Sequence, residues 1–130
     1  MIQILKNIPF FQELSDEDLN KIAANVQMDY FPAGHIIFNQ GDAGEKMYVI
    51  KRGEVQVIRG KKILANLKDN SFFGEMALVS DEPRNATIKT VTDVEVLTLA
   101  KDDFKNLLEN NASIASIVSY EVVKRANALF

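Results

Sequence analysis

The chain has no cysteine and a single histidine, His35, in 130 residues. Without cysteine there is no disulfide framework and no thiol nucleophile. One histidine cannot supply the His-and-carboxylate cluster that a metal enzyme on a β-rich scaffold requires. His35 follows Gly34 and reads as a turn residue. No Gly-x-Ser-x-Gly elbow is present, and no serine stands in a triad-like relation to the histidine. These absences point to a binding protein, not an enzyme. Basic charge is also scarce: 15 Lys and Arg against 18 Asp and Glu, a net charge of -3. That argues against non-specific nucleic-acid binding, which needs a basic face. No apolar run approaches the length of a membrane span. The N-terminus lacks the basic region and apolar core of a secretory signal. The expectation is a cytoplasmic protein, or the cytoplasmic piece of a larger one.

What is present is the profile of one soluble globular domain, with 47% hydrophobic and 25% charged residues. The expected division is helical over 1–27, a β-roll over 28–100 and C-terminal helices over 101–130, all in one domain. Near the start, Ile2, Ile4, Leu5, Ile8, Phe10, Phe11 and Leu14 are apolar, and Pro9 interrupts any continuous helix. This segment either packs on the core, the favoured reading, or offers Phe10 and Phe11 to a partner. Ser15-Asp16-Glu17-Asp18 is a helix start, with Ser as N-cap and acids at the positive dipole end. Leu19, Ile22, Ala23 and Val26 keep helical spacing, so the helix should end near 25–27.

Between Met28 and Ala100 the pattern changes to short apolar or alternating runs separated by turns. About eight strands at close spacing predict a mainly β architecture with flanking helices: an eight-stranded antiparallel roll or jelly roll. Asp102-Asp103 opens a second helix carrying Phe104, Leu107 and Leu108, and Asn110-Asn111 interrupts it. A further helix over 112–128 has an apolar stripe from Ile114 to Leu129. The fold expected is therefore a β-roll with an N-terminal helix and two C-terminal helices.

One stretch carries chemistry. Phe72-Phe73-Gly74-Glu75-Met76-Ala77-Leu78 sets a glycine before a short helix-forming run. Glycine permits close backbone approach or positive φ, and a helix start presents free N–H groups to an anion. Pro83-Arg84-Asn85-Ala86-Thr87-Ile88 then supplies Arg84, whose planar guanidinium suits a bidentate grip on phosphate. Glu75 would repel the same phosphate, so its task is to accept hydrogen bonds from sugar hydroxyls. The pattern reads as a seat for one phosphate joined to one ribose. Asp81-Glu82, in the spacer between the halves, reads as a solvated acid pair.

These two motifs resemble the phosphate-binding cassette of the cyclic nucleotide-binding domain family, and the likeness extends from about Ile8 to Leu129. Gly34, Gly41, Gly44 and Gly53 also fall at that family's loop positions. The resemblance implies that Arg84 holds a cyclic phosphate, that Glu75 takes the ribose 2′-hydroxyl, and that backbone N–H groups at Ala77 and Asn85 complete the cage. The expected ligand site comprises Gly74, Glu75, Met76, Ala77, Arg84, Asn85 and Ala86, with Val57, Leu67 and Ala77 walling the base. Relatives that prefer cAMP often carry Ala after the arginine, and those that prefer cGMP often carry Thr. Asn85 can donate and accept and could serve either base, with cAMP favoured here. A C-terminal helix would cap the base. Arg125 and Leu129 fall where some relatives place the cap, although the favoured reading of Arg125 is an exposed helix charge.

The function implied is a sensor of cAMP or cGMP that couples binding to movement of the C-terminal helix. No metal or cofactor is expected beyond that ligand. An effector protein or a homodimer through the C-terminal helix is the implied partner. Three rivals stand beside it. One is the sensor half of a transcription regulator, whose recognition helix is not in this chain. Another is a module of a channel or kinase, and the third an interaction domain that no longer binds nucleotide.

Overall fold

The structure is a computed structural model that describes residues 2–8, 11–78 and 80–116. Two short helices lead: α1 (Ile2–Leu5) and α2 (Asp16–Ala23). Ser15 caps α2, its side chain accepting from the Asp18 N–H at 3.2 Å. Asp16, Glu17 and Asp18 occupy the first turn, where the dipole favours negative charge. The helix stops at Ala23, short of the 25–27 expected, because Gln27 already begins a strand paired to Thr98.

Eight strands come next: β1 (Gln27–Phe31), β2 (Ile36–Phe38), β3 (Lys46–Arg52), β4 (Val55–Arg59), β5 (Lys62–Leu67), β6 (Phe72–Phe73), β7 (Thr87–Thr90) and β8 (Val94–Ala100). They form two antiparallel four-stranded sheets, ordered β1-β8-β3-β6 and β2-β7-β4-β5. This is the expected roll. The strand at Phe72–Phe73 lies inside the stretch singled out for phosphate chemistry and was not expected as a strand. Helix α3 (Lys101–Asn110) continues directly from β8, with Ala100 rather than an acid at its N-cap. Asn111 ends it in extended backbone (φ -141, ψ 90), as the Asn pair predicts. Helical backbone resumes over 112–116.

Two apolar clusters explain the architecture. One holds Ile50, Val55, Val57, Phe73, Ile88 and Val96 inside the roll. The other joins Leu5, Ile8, Phe11, Leu19, Ile22 and Phe104 to Met47, Val49, Leu97 and Leu99. Successive strand residues point to opposite faces. Thus β3 sends Val49 to the helical cluster and Ile50 to the roll, and β8 does the same with Leu97 and Val96. Strands covered on both faces read as continuous apolar runs, as Met47–Ile50 does in the sequence. Phe11 is fully buried and packs 6.1 Å from the Phe104 ring. The N-terminal segment therefore packs at Phe11, which contributes about 1.5–3 kcal/mol through burial. Phe10 lies outside the described residues.

Candidate functional site

The site begins where β6 ends. Phe73 pairs with Tyr48 on β3, and the chain then turns through Gly74 at φ 74. That left-handed backbone is open to glycine and strained for other residues. The next four residues, Glu75–Leu78, form the short helix expected after Gly74, as a single 3-10 turn. Its length explains the 3-10 form: only four residues separate Gly74 from the Val79–Glu82 spacer, and Leu78 is drawn into the helical cluster. The Ala77 N–H donates to Gly74 O at 3.2 Å and closes the turn. The Glu75 side chain lies outside the described residues, as do Arg125 and Leu129.

Arg84 is 9% exposed, an unusual position for a permanent positive charge. Nη2 donates to Lys46 O at 2.7 Å and Nη1 to Gly74 O at 3.2 Å. The guanidinium lies over the Phe38 ring, 4.0 Å from its centroid. Phe38 belongs to an aromatic trio: Tyr48 stacks on Phe73 with centroids 4.9 Å apart, and Phe38 tilts against both. Burial pushes the Tyr48 phenol above its ordinary pKa, with the Arg84 charge acting in the opposite sense. Carbonyl dipoles and an aromatic face thus fix the orientation of the arginine. A guanidinium held in this way suits an anion such as phosphate.

Two glycines make room for it. A Cβ at Gly74 would stand 2.7 Å from Arg84 Nη1, and one at Gly44 would stand 3.1 Å from Arg84 Nε and 3.0 Å from the Ala77 Cβ. Gly44 therefore sits against both Arg84 and Ala77. It was legible in the sequence only as a loop glycine.

The second half of the motif is tied to two other segments. Around residues 39–42, Asp42 N–H donates to Asn39 O and its carboxylate accepts from Asn39 N–H. Gly41 N–H donates to Arg84 O and Arg84 N–H to Asp42 O, both at 2.8 Å. From the β4–β5 hairpin, Arg59 Nε donates to Asn85 O at 3.0 Å. Gln40 bridges the two supports: its N–H donates to Thr87 Oγ1 and its side-chain oxygen accepts from Gly60 N–H.

The other expected residues divide into groups. Val57 and Ala86 are buried together in the roll cluster, with Leu67 half-buried against it. Val57 faces Ala65 and Ile88 in register, and Leu67 faces Val55. The Met76 side chain packs instead against the helical cluster. Asn85 is exposed. The residues that sequence reasoning did not assign to the site are Phe38, Tyr48, Gln40, Arg59 and Lys101.

Lys101, the first residue of α3, donates from Nζ to Ser80 O at 2.9 Å and to the Asp81 carboxylate. Its backbone N–H donates to Glu45 O. The spacer between the two halves of the motif is therefore fastened to a helix. Asp81 is exposed, as expected of a loop acid, but it is paired rather than merely solvated. No cluster of three or more His, Asp or Glu able to hold a metal occurs among the described residues.

The profile of the cyclic nucleotide-binding domain matches residues 28–111. A cAMP-dependent protein kinase regulatory subunit from Eremothecium gossypii is 40% identical over 80% of this chain and 23% of its own length. A cyclic nucleotide-gated potassium channel from Mesorhizobium japonicum is 34% identical over 97% of this chain and 35% of its own length. The chain thus spans about a quarter to a third of these relatives. Among solved structures, the N-terminal domain of a transcriptional regulator from Streptomyces coelicolor superposes with a TM-score of 0.87 at 27% identity, covering 95% of this chain and 91% of that one. The catabolite activator protein of Thermus thermophilus gives 0.78 at 30% identity, covering 92% of this chain and 58% of that one. With its motif, its roll and its buried arginine accounted for, the chain belongs to the cyclic nucleotide-binding domain family.

Proposed function

We propose that this chain is a sensor that binds a 3′,5′-cyclic purine mononucleotide, cAMP in preference to cGMP, and passes the binding event to its C-terminal helices. The observation that carries this reading is Arg84. It is a buried guanidinium aligned by Lys46 O, Gly74 O and the Phe38 ring. Holding a charge in a preset orientation lowers the ordering cost of binding an anion. Arg84 would take the cyclic phosphate, with the backbone N–H groups of Asn85 and Ala86 beside it; the Ala77 N–H, expected to join them, already donates to Gly74 O. Glu75 would take the ribose 2′-hydroxyl, and Val57, Leu67 and Ala77 would flank the base. Arg125 or Leu129 would cap it.

Transmission has a physical route in this reading. Leu78 at the end of the 3-10 turn shares a cluster with Phe104 and Leu107 of α3, and Lys101 fastens the spacer to the same helix. A ligand can shift α3 and the chain beyond it only by binding one arrangement better than the other. The chain would then act as a regulatory, non-catalytic part of a cytoplasmic signalling protein. Its output would be a kinase, a channel, a DNA-binding partner or a second copy meeting it through the C-terminal helix.

Isothermal titration of nucleotide-stripped protein with cAMP and cGMP tests this, with Arg84→Ala alongside. Removing one partner of a buried charged contact costs about 2–5 kcal/mol, so the variant should lose at least roughly tenfold in affinity. Absence of saturable binding to either nucleotide would sink the sensor reading. Equal affinity in wild type and Arg84→Ala would sink the site.

A further inference from the structure

We propose that Arg59 is a positioning residue that aims the Ala86 backbone N–H at the ligand phosphate, beside the Asn85 N–H that Gly41 sets. This role rests on the nucleotide reading and extends it to a side chain outside the motif.

Peptide geometry carries the proposal. In a trans peptide the C=O and the following N–H point in opposite directions, and no cis bond occurs among the described residues. The Arg84 carbonyl accepts from Gly41 N–H at 2.8 Å. The same peptide carries the Asn85 N–H, which is therefore turned away from the 39–42 loop. The Asn85 carbonyl accepts from Arg59 Nε at 3.0 Å. That peptide carries the Ala86 N–H, which is turned away from the Arg59 guanidinium. Two successive peptide planes are thus set by partners on their carbonyl sides. Residues 85 and 86 lie in a bend, and successive N–H groups in a turn line a concave seat for an anion, immediately after the residue that supplies the positive charge.

Arg59 adds more than orientation. A cation on the Asn85 carbonyl polarises the peptide and strengthens the donor at its other end. Its loss should leave the framework standing. Ile58 remains paired to Thr87 in the ladder, and Gln40 still links Thr87 Oγ1 to Gly60 N–H. The stem of Arg59→Met keeps the apolar cover of the half-buried arginine while removing the donor.

The test uses the whole chain as wild type, Arg59→Met and Arg59→Lys. Each is titrated with cAMP and cGMP, and each is then compared by thermal unfolding and by the amide proton resonances of Asn85 and Ala86. Arg59→Met should bind about threefold to tenfold more weakly, the size of one oriented hydrogen bond. The ligand-induced downfield shift of the Ala86 amide proton should shrink while that of Asn85, held through Gly41, changes less, and Arg59→Lys should recover part of the lost affinity and shift. Wild-type affinity and unchanged amide shifts in Arg59→Met would overturn the positioning role alone. A large fall in unfolding temperature that Arg59→Lys does not restore would make the residue structural and would also overturn it. If wild type binds neither nucleotide, the sensor reading falls and takes this inference with it.

Discussion

The guanidinium carbon of Arg84 lies 4.0 Å from the centroid of the Phe38 ring. The ring's negative face meets the delocalised cation, a contact worth about 0.5–2 kcal/mol depending on desolvation. Phe38 is itself braced by Tyr48 and Phe73, with centroids 5.8 and 5.9 Å away. The aromatic trio is therefore a floor under the charged group.

The ring should matter to binding through the arginine it supports. Phe38→Leu keeps an apolar side chain but removes the π face, and Phe38→Tyr keeps both. Phe38→Leu is expected to weaken nucleotide binding roughly twofold to thirtyfold, the range spanned by such contacts. Phe38→Tyr should bind nearly as wild type. Titration of the two side by side decides it, and indistinguishable affinities would show that the ring does not support the arginine.

Gly44 and Gly74 separate two effects of adding one methyl group. At Gly74 the backbone is left-handed and the new Cβ meets Arg84 Nη1 at 2.7 Å. Gly74→Ala should lose both stability, by about 1–2 kcal/mol of backbone strain, and affinity. At Gly44 the new atom meets Ala77 Cβ at 3.0 Å and Arg84 Nε at 3.1 Å, without a left-handed backbone to strain. Gly44→Ala should therefore lose affinity with a smaller loss of stability. Urea unfolding and calorimetric titration of both variants give the comparison. A Gly44→Ala protein that binds normally would show that the arginine yields freely.

The Lys101–Asp81 contact predicts an acid-side signature. The hydrogen bond from Lys101, then its charge and that of Lys105, hold the Asp81 carboxyl below its ordinary value of 3.8. The unfolded chain then takes up the proton more readily than the folded one. The stabilisation is fully present above the unfolded value and is lost as pH falls through the lower folded value. Asp81→Asn should be slightly less stable than wild type at neutral pH, and the difference should close as the pH drops below 3.8. Thermal unfolding across that range checks it. A difference that persists unchanged at low pH would mean that the charge is not what fastens the spacer.

Local signals made much of the fold readable. Ser15 followed by three acids predicts a helix start, and Ser15 is the N-cap. Alternating Val55 and Val57 predict a half-covered strand, and both are buried on the roll side of β4. The misreadings arise where a tertiary contact outweighs the local pattern. Phe72–Phe73 carries no strand signal of its own ahead of Gly74 but is recruited as a strand by Tyr48 and Val49. The run after Gly74, by contrast, is the short helix its residues predict, closed as one 3-10 turn before its last residue is drawn into the helical cluster.

The sequence by itself determined the strand-rich roll apart from Phe72–Phe73, the capped start of α2 and the residue types of the phosphate stretch. Those arise from periodicity, turn residues and capping, which are properties of neighbours in the chain. The cassette residues were identified by their order in one continuous stretch. Tertiary structure alone decided what surrounds Arg84. Phe38, Gly44 and Lys46 reach it from β2, the loop after β2 and β3, and Arg59 reaches Asn85 from the next hairpin. It also decided that Asp81 is fastened to Lys101 on α3. Such contacts join segments far apart in the chain, and they exist only after both sheets have closed. A local pattern carries no term for them, because their free energy depends on burial and orientation that only the closed roll provides.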